Sequence, residues 1–276
     1  MTIRFGLPGK VYLVGAGPGS SKLLTVRALE LLQSADVVFH DDLVSGEVIG
    51  LIPSRTAVYN VGKRCGIKKI TQDEIHRRMI SAARSGQTVV RLKGGDPLIF
   101  GRTGEEIRAL RAAWIEFEIV PGVTAATAAA AAAEITLTDR KHGSKLVFAS
   151  NHRCAGSKSH KWARDAANDA TLVFYMPGRD FGPLCAELCA SGAKEDTPCL
   201  VVSQAARPEQ QVLRTSLRWL PALEPLPAPS VLIIGAVAAE ATAEPAENAD
   251  TGETFENLEA QEATIALDEP DNVPAR

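Results

Sequence analysis

Short apolar runs alternate with helix-spaced segments along most of this chain, and few folds accept that pattern. "KVYLVG" has the apolar, β-branched character of a strand, and "SSKLLTVRALELLQSA" follows it with Leu23, Leu24, Ala28, Leu31 and Leu32 at helical spacing. "DVVFH" and "AVYNVG" are two further strands. "TQDEIHRRMISAARSG" reads as a helix, with Thr71 as N-cap, Glu74 three residues later and Gly86 as its stop. "TVVRLKG" (strand), "TGEEIRALRAAW" (helix), "EFEIVPG" (strand) and the alanine-rich "VTAATAAAAAAEI" (helix) continue the series. Strands and helices joined by short loops predict a mostly parallel sheet covered by helices.

The polar stretch "LTDRKHGS" interrupts this series, and "KLVFAS", "ATLVFYM", "GPLCAELCASG", "TPCLVVSQ", "QQVLRTSL" and "PSVLIIGAV" resume it. The expected organisation is an N-terminal α/β domain over residues 1–137, a connection at 138–143 and a C-terminal α/β domain over 144–239. Residues 240–276 lose periodicity, are acidic and poor in aromatics, and are expected to be a disordered tail. The tail also hides the charge of the rest. The whole chain has a net charge of −3, but residues 1–239 carry 29 Lys/Arg against 22 Asp/Glu, a balance of +7. A basic body suits a polyanionic ligand. Aromatic residues make up 5% of the chain, too few for an obvious base-stacking platform, and nucleic acid is not expected as a partner. No apolar run is long enough to span a membrane, and "MTIRFGLPGK" lacks the apolar core of a signal peptide, so a cytoplasmic protein is expected. The five cysteines form no CxxC pair, and neither a disulfide framework nor a metal site is expected.

Four segments carry candidate chemistry. In "VYLVGAGPGSSKLL", a strand enters a glycine-rich turn, which resembles a dinucleotide fingerprint. Its spacing is GxGxG, however, and Pro18 has no N–H to offer a phosphate. In "RLKGGDPLIFGR", Gly94 and Gly95 leave the backbone bare for a close ligand, and Asp96 favours a cationic or hydroxyl-bearing one. A nucleoside with a positive centre fits better than a phosphate, and S-adenosylmethionine answers that description. In "HDDLVS" and "VGKRCG", Asp41 and Lys63 each follow a strand, where the carboxyl ends of a parallel sheet face the ligand. An acid and a base there could manage protons or form a surface ion pair. In "IVPGVTAATAAA", Thr124 stands at a helix N-terminus, and Ala125 and Ala126 permit close approach of a ligand or of another helix.

The segments "VYLVGAGPG", "HDDLVS", "VGKRCG", "VVRLKGGDPLIFGRTGEE", "VPGVTAA", "LTDR" and "TLVFYMPG", in this order over roughly residues 9–237, resemble the tetrapyrrole methylase family, and within it the members that methylate uroporphyrinogen III. The resemblance implies a two-domain α/β fold, each domain a mixed or parallel sheet flanked by helices, with the active-site cleft between them. It implies S-adenosylmethionine as methyl donor, S-adenosylhomocysteine as its product, and a homodimer. Cofactor contacts are implied at Pro18, Gly94, Gly95, Asp96, Ile99, Thr124, Ala125, Met176 and Ala205. Asp41, Lys63 and Arg102 are the implied catalytic positions, and Arg102, Glu105, Arg140 and Met176 those near the tetrapyrrole. The implied reaction methylates two pyrrole carbons, giving precorrin-2 by way of precorrin-1 for siroheme or cobalamin synthesis. The eight carboxylates of that substrate give the basic body a purpose. Departures from the family pattern fall at His40, Asp42, Asp139 and the "SQAAR" segment. Alternatives are a methylase of a later corrin intermediate or of a ribosomal nucleotide, a binding protein that has lost turnover, and a nicotinamide oxidoreductase, against which the GGDP block argues. No fused dehydrogenase or chelatase domain is expected.

Overall fold

The computed structural model describes residues 9–62, 70–141, 145–151 and 170–242. Lys63, Cys65, Cys154 and the chain beyond Thr242, including most of the expected tail, lie outside the described residues. The fold is α/β, with two five-stranded sheets flanked by helices.

The first sheet contains β1 (Val11–Gly15), β2 (Val37–His40), β3 (Ala57–Asn60), β4 (Val89–Lys93) and β5 (Phe117–Val120) in the order β3-β2-β4-β1-β5. Every pairing in it is parallel. Strand β4 is buried along its whole length, although it carries Arg91 and Lys93 among its five residues. Successive residues alternate between two cores. Val14, Val38, Val90 and Leu92 pack with Ala28, Leu31 and Leu32 of α1 (Val26–Ser34). Leu13, Phe39 and Val89 pack with Ile75, Met79 and Ala83 of α3 (Gln72–Arg84) and Leu110 of α4 (Thr103–Ala112).

Two local differences from the sequence expectation follow from capping. The helix after β1 does not begin at the glycine turn. Ser20 caps a single 3₁₀ turn, Ser21–Leu23, and Thr25 Oγ1 then accepts from Ala28 N to start α1. The glycine turn therefore opens no long helix, which removes the dipole a dinucleotide fingerprint relies on. A short helix not foreseen, α2 (Gly46–Ile49), begins where Ser45 Oγ accepts from Val48 N. The expected cap on α3 is present, with Thr71 Oγ1 accepting from Glu74 N.

The second sheet contains β6 (Lys145–Ser150), β7 (Ala170–Tyr175), β8 (Pro198–Ser203), β9 (Gln211–Ser216) and β10 (Ser230–Ile234) in the order β6-β7-β10-β8-β9. Only β6 and β7 run parallel, so this sheet is mixed. Leu184, Cys185 and Leu188 of α6 (Gly182–Ala190) cover one face. The other is covered by α5 (Ala125–Ala132), whose Ala126, Ala129 and Ala130 pack on Val173, Leu200, Val202, Val231 and Ile233. Helix α5 precedes the 138–143 stretch in the chain yet lends its buried face to the second sheet. The described residues all fall within one compact unit.

Candidate functional site

The loops that leave β1, β2, β4 and β5 at their carboxyl ends converge, because these strands are neighbours in a parallel sheet. Their contact is backbone on backbone. Gly17 N donates to Gly95 O at 3.2 Å and Gly95 N to Gly17 O at 2.7 Å, a two-residue antiparallel bridge between the glycine turn and the GGDP loop. A Cβ on Gly15 would lie 2.6 Å from Gly122 Cα, and one on Gly122 would lie 2.5 Å from Gly95 O. Only glycine allows three main chains to interlock so closely.

The two adjacent glycines of the loop after β4 have different reasons to be glycine. A Cβ at Gly94 would strike Leu43 Cβ at 2.6 Å, so that side is filled by the neighbouring loop and is not left open to a ligand. Gly95 has φ +68°, and the nearest atom to its missing Cβ is Ala125 N, 3.9 Å away. The bare backbone available to a ligand is therefore at Gly95.

Asp96 and Asp41 are organisers of these loops. Asp96 Oδ1 accepts from Leu98 N at 2.7 Å and Oδ2 from Gly122 N at 2.9 Å, tying the loop after β4 to the one after β5. Asp41 Oδ1 accepts from Leu43 N at 3.0 Å and Oδ2 from Gly94 N at 3.2 Å. Each carboxylate keeps lone pairs for a ligand, but its position is set by two main-chain donors. His40, buried at the end of β2, contacts the Asp41 carbonyl through Nδ1 at 2.9 Å, and Asp42 Oδ1 accepts from Asn60 Nδ2 at 2.8 Å.

Beneath this surface lies a group that the motif reading missed. Glu106 of α4 accepts from Arg91 Nε through Oε1 and from Lys93 Nζ through Oε2, both at 2.9 Å. All three side chains are at most 4% exposed. Arg91 Nη1 also donates to the Phe39 and Leu92 carbonyls. Burial pushes the Lys93 ammonium below the ordinary lysine value, and Arg91 adds to this, while Glu106 and Asp41 pull it back. The signal was available in the sequence. In a strand buried on both faces, two cations two residues apart point to the same side and need an anion there.

Arg102 and Glu105 face outward and pair with each other. Arg102 Nε and Nη2 donate to the two Glu105 carboxylate oxygens, each at 2.8 Å. Arg102 is held at φ 56° as the residue before α4, and Phe100 at φ 52°. The mutual hydrogen bonds hold the guanidinium above and the carboxyl below their ordinary pKa values. Half of Phe100, Leu98, Leu43 and Met176 is open to solvent, an apolar rim around the glycine loops. Ile99 N donates to Asp96 O in the same turn.

The second sheet reaches this site through Tyr175 and Arg207, neither of which was singled out from sequence. Tyr175 OH is 2.5 Å from Thr124 Oγ1 and accepts from Ala126 N at 3.3 Å, so it joins the end of β7 to the start of α5. Its ring lies 5.0 Å from that of Phe100. Burial pushes its phenol above the ordinary value, against the two hydrogen bonds. Met176 follows at φ 50°. Ala205 is buried in the core beneath α5, while Ala125 lies half-buried at that core's margin. Pro18 is buried in the glycine turn. Arg140 is exposed, next to an Asp139 side chain that accepts from Lys141 N. Thus the structure brings together Pro18, Asp41, Gly94, Gly95, Asp96, Ile99, Thr124, Ala125 and, on the rim, Arg102, Glu105 and Met176. Among the described residues no cluster of three or more His, Cys, Asp or Glu could hold a metal ion, and no helix is long and apolar enough to cross a membrane.

Comparison with known proteins gives this geometry a family. The chain is 44% identical over 237 residues to the uroporphyrinogen-III C-methyltransferase of Paracoccus denitrificans, covering 84% of this chain and 83% of that one. It is 43% identical over 230 residues to siroheme synthase 1 of Klebsiella pneumoniae, covering 83% of this chain and 49% of that one. The chain spans about half the length of the siroheme synthases it matches. The crystal structure of uroporphyrin-III C-methyl transferase from Thermus thermophilus complexed with S-adenyl homocysteine superposes with a TM-score of 0.72 at 37% identity, covering 84% of this chain and 99% of that one. The family model for Tetrapyrrole (Corrin/Porphyrin) Methylases matches residues 10–221, and the chain belongs to that family.

Proposed function

We propose that this chain transfers methyl groups from S-adenosylmethionine to two pyrrole carbons of uroporphyrinogen III, giving precorrin-2 by way of precorrin-1 and releasing S-adenosylhomocysteine. The observation that carries this is the meeting of two unlike surfaces: bare backbone at Gly95 beside Thr124 and Ala125, and an apolar rim of Leu98, Phe100 and Met176 next to Arg102. The first suits a nucleoside pressed against main chain. The second suits a broad macrocycle with carboxylate arms, which an arginine fork can orient. The Paracoccus and Thermus relatives support the same activity.

The sulfonium supplies the methyl group and a good leaving group. The chain's own task is to hold donor and acceptor in line and to take up the proton that the pyrrole carbon releases. Asp41, fixed by Gly94 N, is placed to do the second, with Lys63 and Arg102 as the other candidates. Arg102 would meet substrate carboxylates with Glu105 competing for it, so Glu105 tempers substrate grip. Pro18, Gly94, Gly95, Asp96, Ile99, Thr124, Ala125, Met176 and Ala205 are the proposed donor-binding positions, and Arg102, Glu105, Arg140 and Met176 the proposed acceptor-binding ones. We further read the chain as a cytoplasmic homodimer, with its two domains joined at 138–143.

Anaerobic incubation with uroporphyrinogen III and S-adenosylmethionine tests the proposal through the appearance of precorrin-2 or its oxidised, absorbing form. Donor binding without product would point instead to a binding protein. Single alanine substitutions at Asp41, Lys63 and Arg102, with S-adenosylhomocysteine binding measured separately, assign the proton step. Full turnover in a variant removes that residue from it.

A further inference from the structure

The loop after β8 crosses to the first sheet through one side chain. Arg207 Nη2 donates to the Leu43 carbonyl at 2.6 Å. Its aliphatic stem lies on Gly19, where an added Cβ would fall 2.5 Å from Arg207 Cγ and 3.2 Å from Nε. That Nε is buried without a hydrogen-bond partner. Gly19 in turn accepts a hydrogen bond from Ser45 Oγ through its carbonyl. The glycine turn, the Asp41–Ser45 loop and the β8–β9 loop thus close into a ring, and Asp41 reaches out of it to Gly94 N. The segment that ends at Arg207 is itself held in unusual backbone geometry, with Gln204 at φ 49° and Ala206 at φ 59°.

A buried, unpaired Nε opposes this placement of Arg207, so its single bond to Leu43 and its packing on Gly19 must outweigh that cost. We propose that Arg207 is a positioning residue for methyl transfer: a latch from the second sheet that holds the Leu43 carbonyl and thereby fixes Asp41 against the donor loop. The proposal rests on the function given above for Asp41. Because only one of its N–H groups is used, a lysine can supply the same bond, which a bidentate carboxylate clamp would not allow.

The test compares wild type with Arg207→Ala, Arg207→Lys and Gly19→Ala. In the latch, Arg207→Ala accelerates amide hydrogen exchange over residues 41–48, with or without substrate. It lowers kcat about tenfold, the effect of losing one charge-assisted hydrogen bond, and leaves S-adenosylhomocysteine affinity within about twofold. Arg207→Lys recovers most of kcat. Gly19→Ala, which displaces the arginine, reproduces the exchange increase, and the double variant adds little to it. Unchanged exchange over 41–48 in Arg207→Ala overturns the latch, whatever the activity. Loss of S-adenosylhomocysteine binding in step with kcat, or no recovery by lysine, also overturns it. A wild-type protein without methyl transfer would sink the functional proposal alone, because the exchange measurement still decides the latch.

Discussion

The two sheets of this molecule are both five strands wide and both covered by helices, yet they are built for different tasks. The first is wholly parallel, and its loops meet through glycine. The second is mixed, and it reaches the same site through side chains, Tyr175 to Thr124 and Arg207 to the Leu43 carbonyl. Among the described residues, the buried charges belong to the first sheet and its helix: Arg91, Lys93 and Glu106. The buried polar residues of the second are Thr171 and Ser203. The contrast teaches that one half supplies a rigid, polar backbone platform and the other an apolar support from which a few side chains lean across.

Five substitutions put this contrast at risk, beginning with the buried charges. Glu106→Ala leaves two cations without their shared anion and should cost about 3–5 kcal/mol of stability. The neighbouring Glu105→Ala, in an exposed pair, should cost less than about 1 kcal/mol. Urea unfolding of both variants measures the difference, and equal losses would mean that the triad is not the strut it looks to be. Gly122→Ala forces a Cβ to within 2.9 Å of Gly15 Cα. It should cost roughly 1–3 kcal/mol and weaken S-adenosylhomocysteine binding, measured by calorimetry. Retained binding would show that the interlock of main chains is dispensable.

The second sheet should respond to pH through its thiols. Burial raises Cys199 well above its usual 9.0 and Cys185 to about 12. A raised folded pKa contributes stability that is complete below the unfolded value and is lost as pH rises past it. Between pH 8 and pH 10 each thiol should therefore remove about 1 kcal/mol, the unfolded chain ionising while the folded one does not. Cys199→Ala should remove its share of that loss, read from urea midpoints at the two pH values. The smallest effect is expected at Met176, where glycine relieves the positive φ but frees the unfolded chain. Met176→Gly should change stability by less than about 1 kcal/mol while turnover falls, because the side chain and not the backbone is what the second sheet contributes there.

How much of this was legible beforehand divides along the same line. Features set by local chemistry were readable: the Thr71 cap on α3, the strand–helix alternation, and the glycine turns after β1, β4 and β5. The late start of α1 turned on a choice between Ser20 and Thr25 as caps, which propensity does not decide. The allegiance of α5 was hidden because a helix of alanines and one threonine has no marked apolar face, and only tertiary contact shows that it covers the second sheet. Within the candidate site, Gly95, Asp96, Asp41 and Thr124 stood out by type and position. Tyr175 and Arg207 did not, since each matters through a partner far away in the chain, Thr124 and Leu43. Gly94 was noticed for the wrong reason: it yields to Leu43, and Gly95 alone keeps an open side.

The order β3-β2-β4-β1-β5 also bears on how the chain is made. Strand β1 is made before both of its sheet neighbours, β4 and β5, the second of which begins at Phe117. On a ribosome, this apolar strand keeps both edges bare until β4, which begins at Val89, has been made, and one edge bare until β5 follows. The strand that carries the glycine turn is thus the most aggregation-exposed part of the nascent protein, and chaperone demand should peak before β5 leaves the exit tunnel.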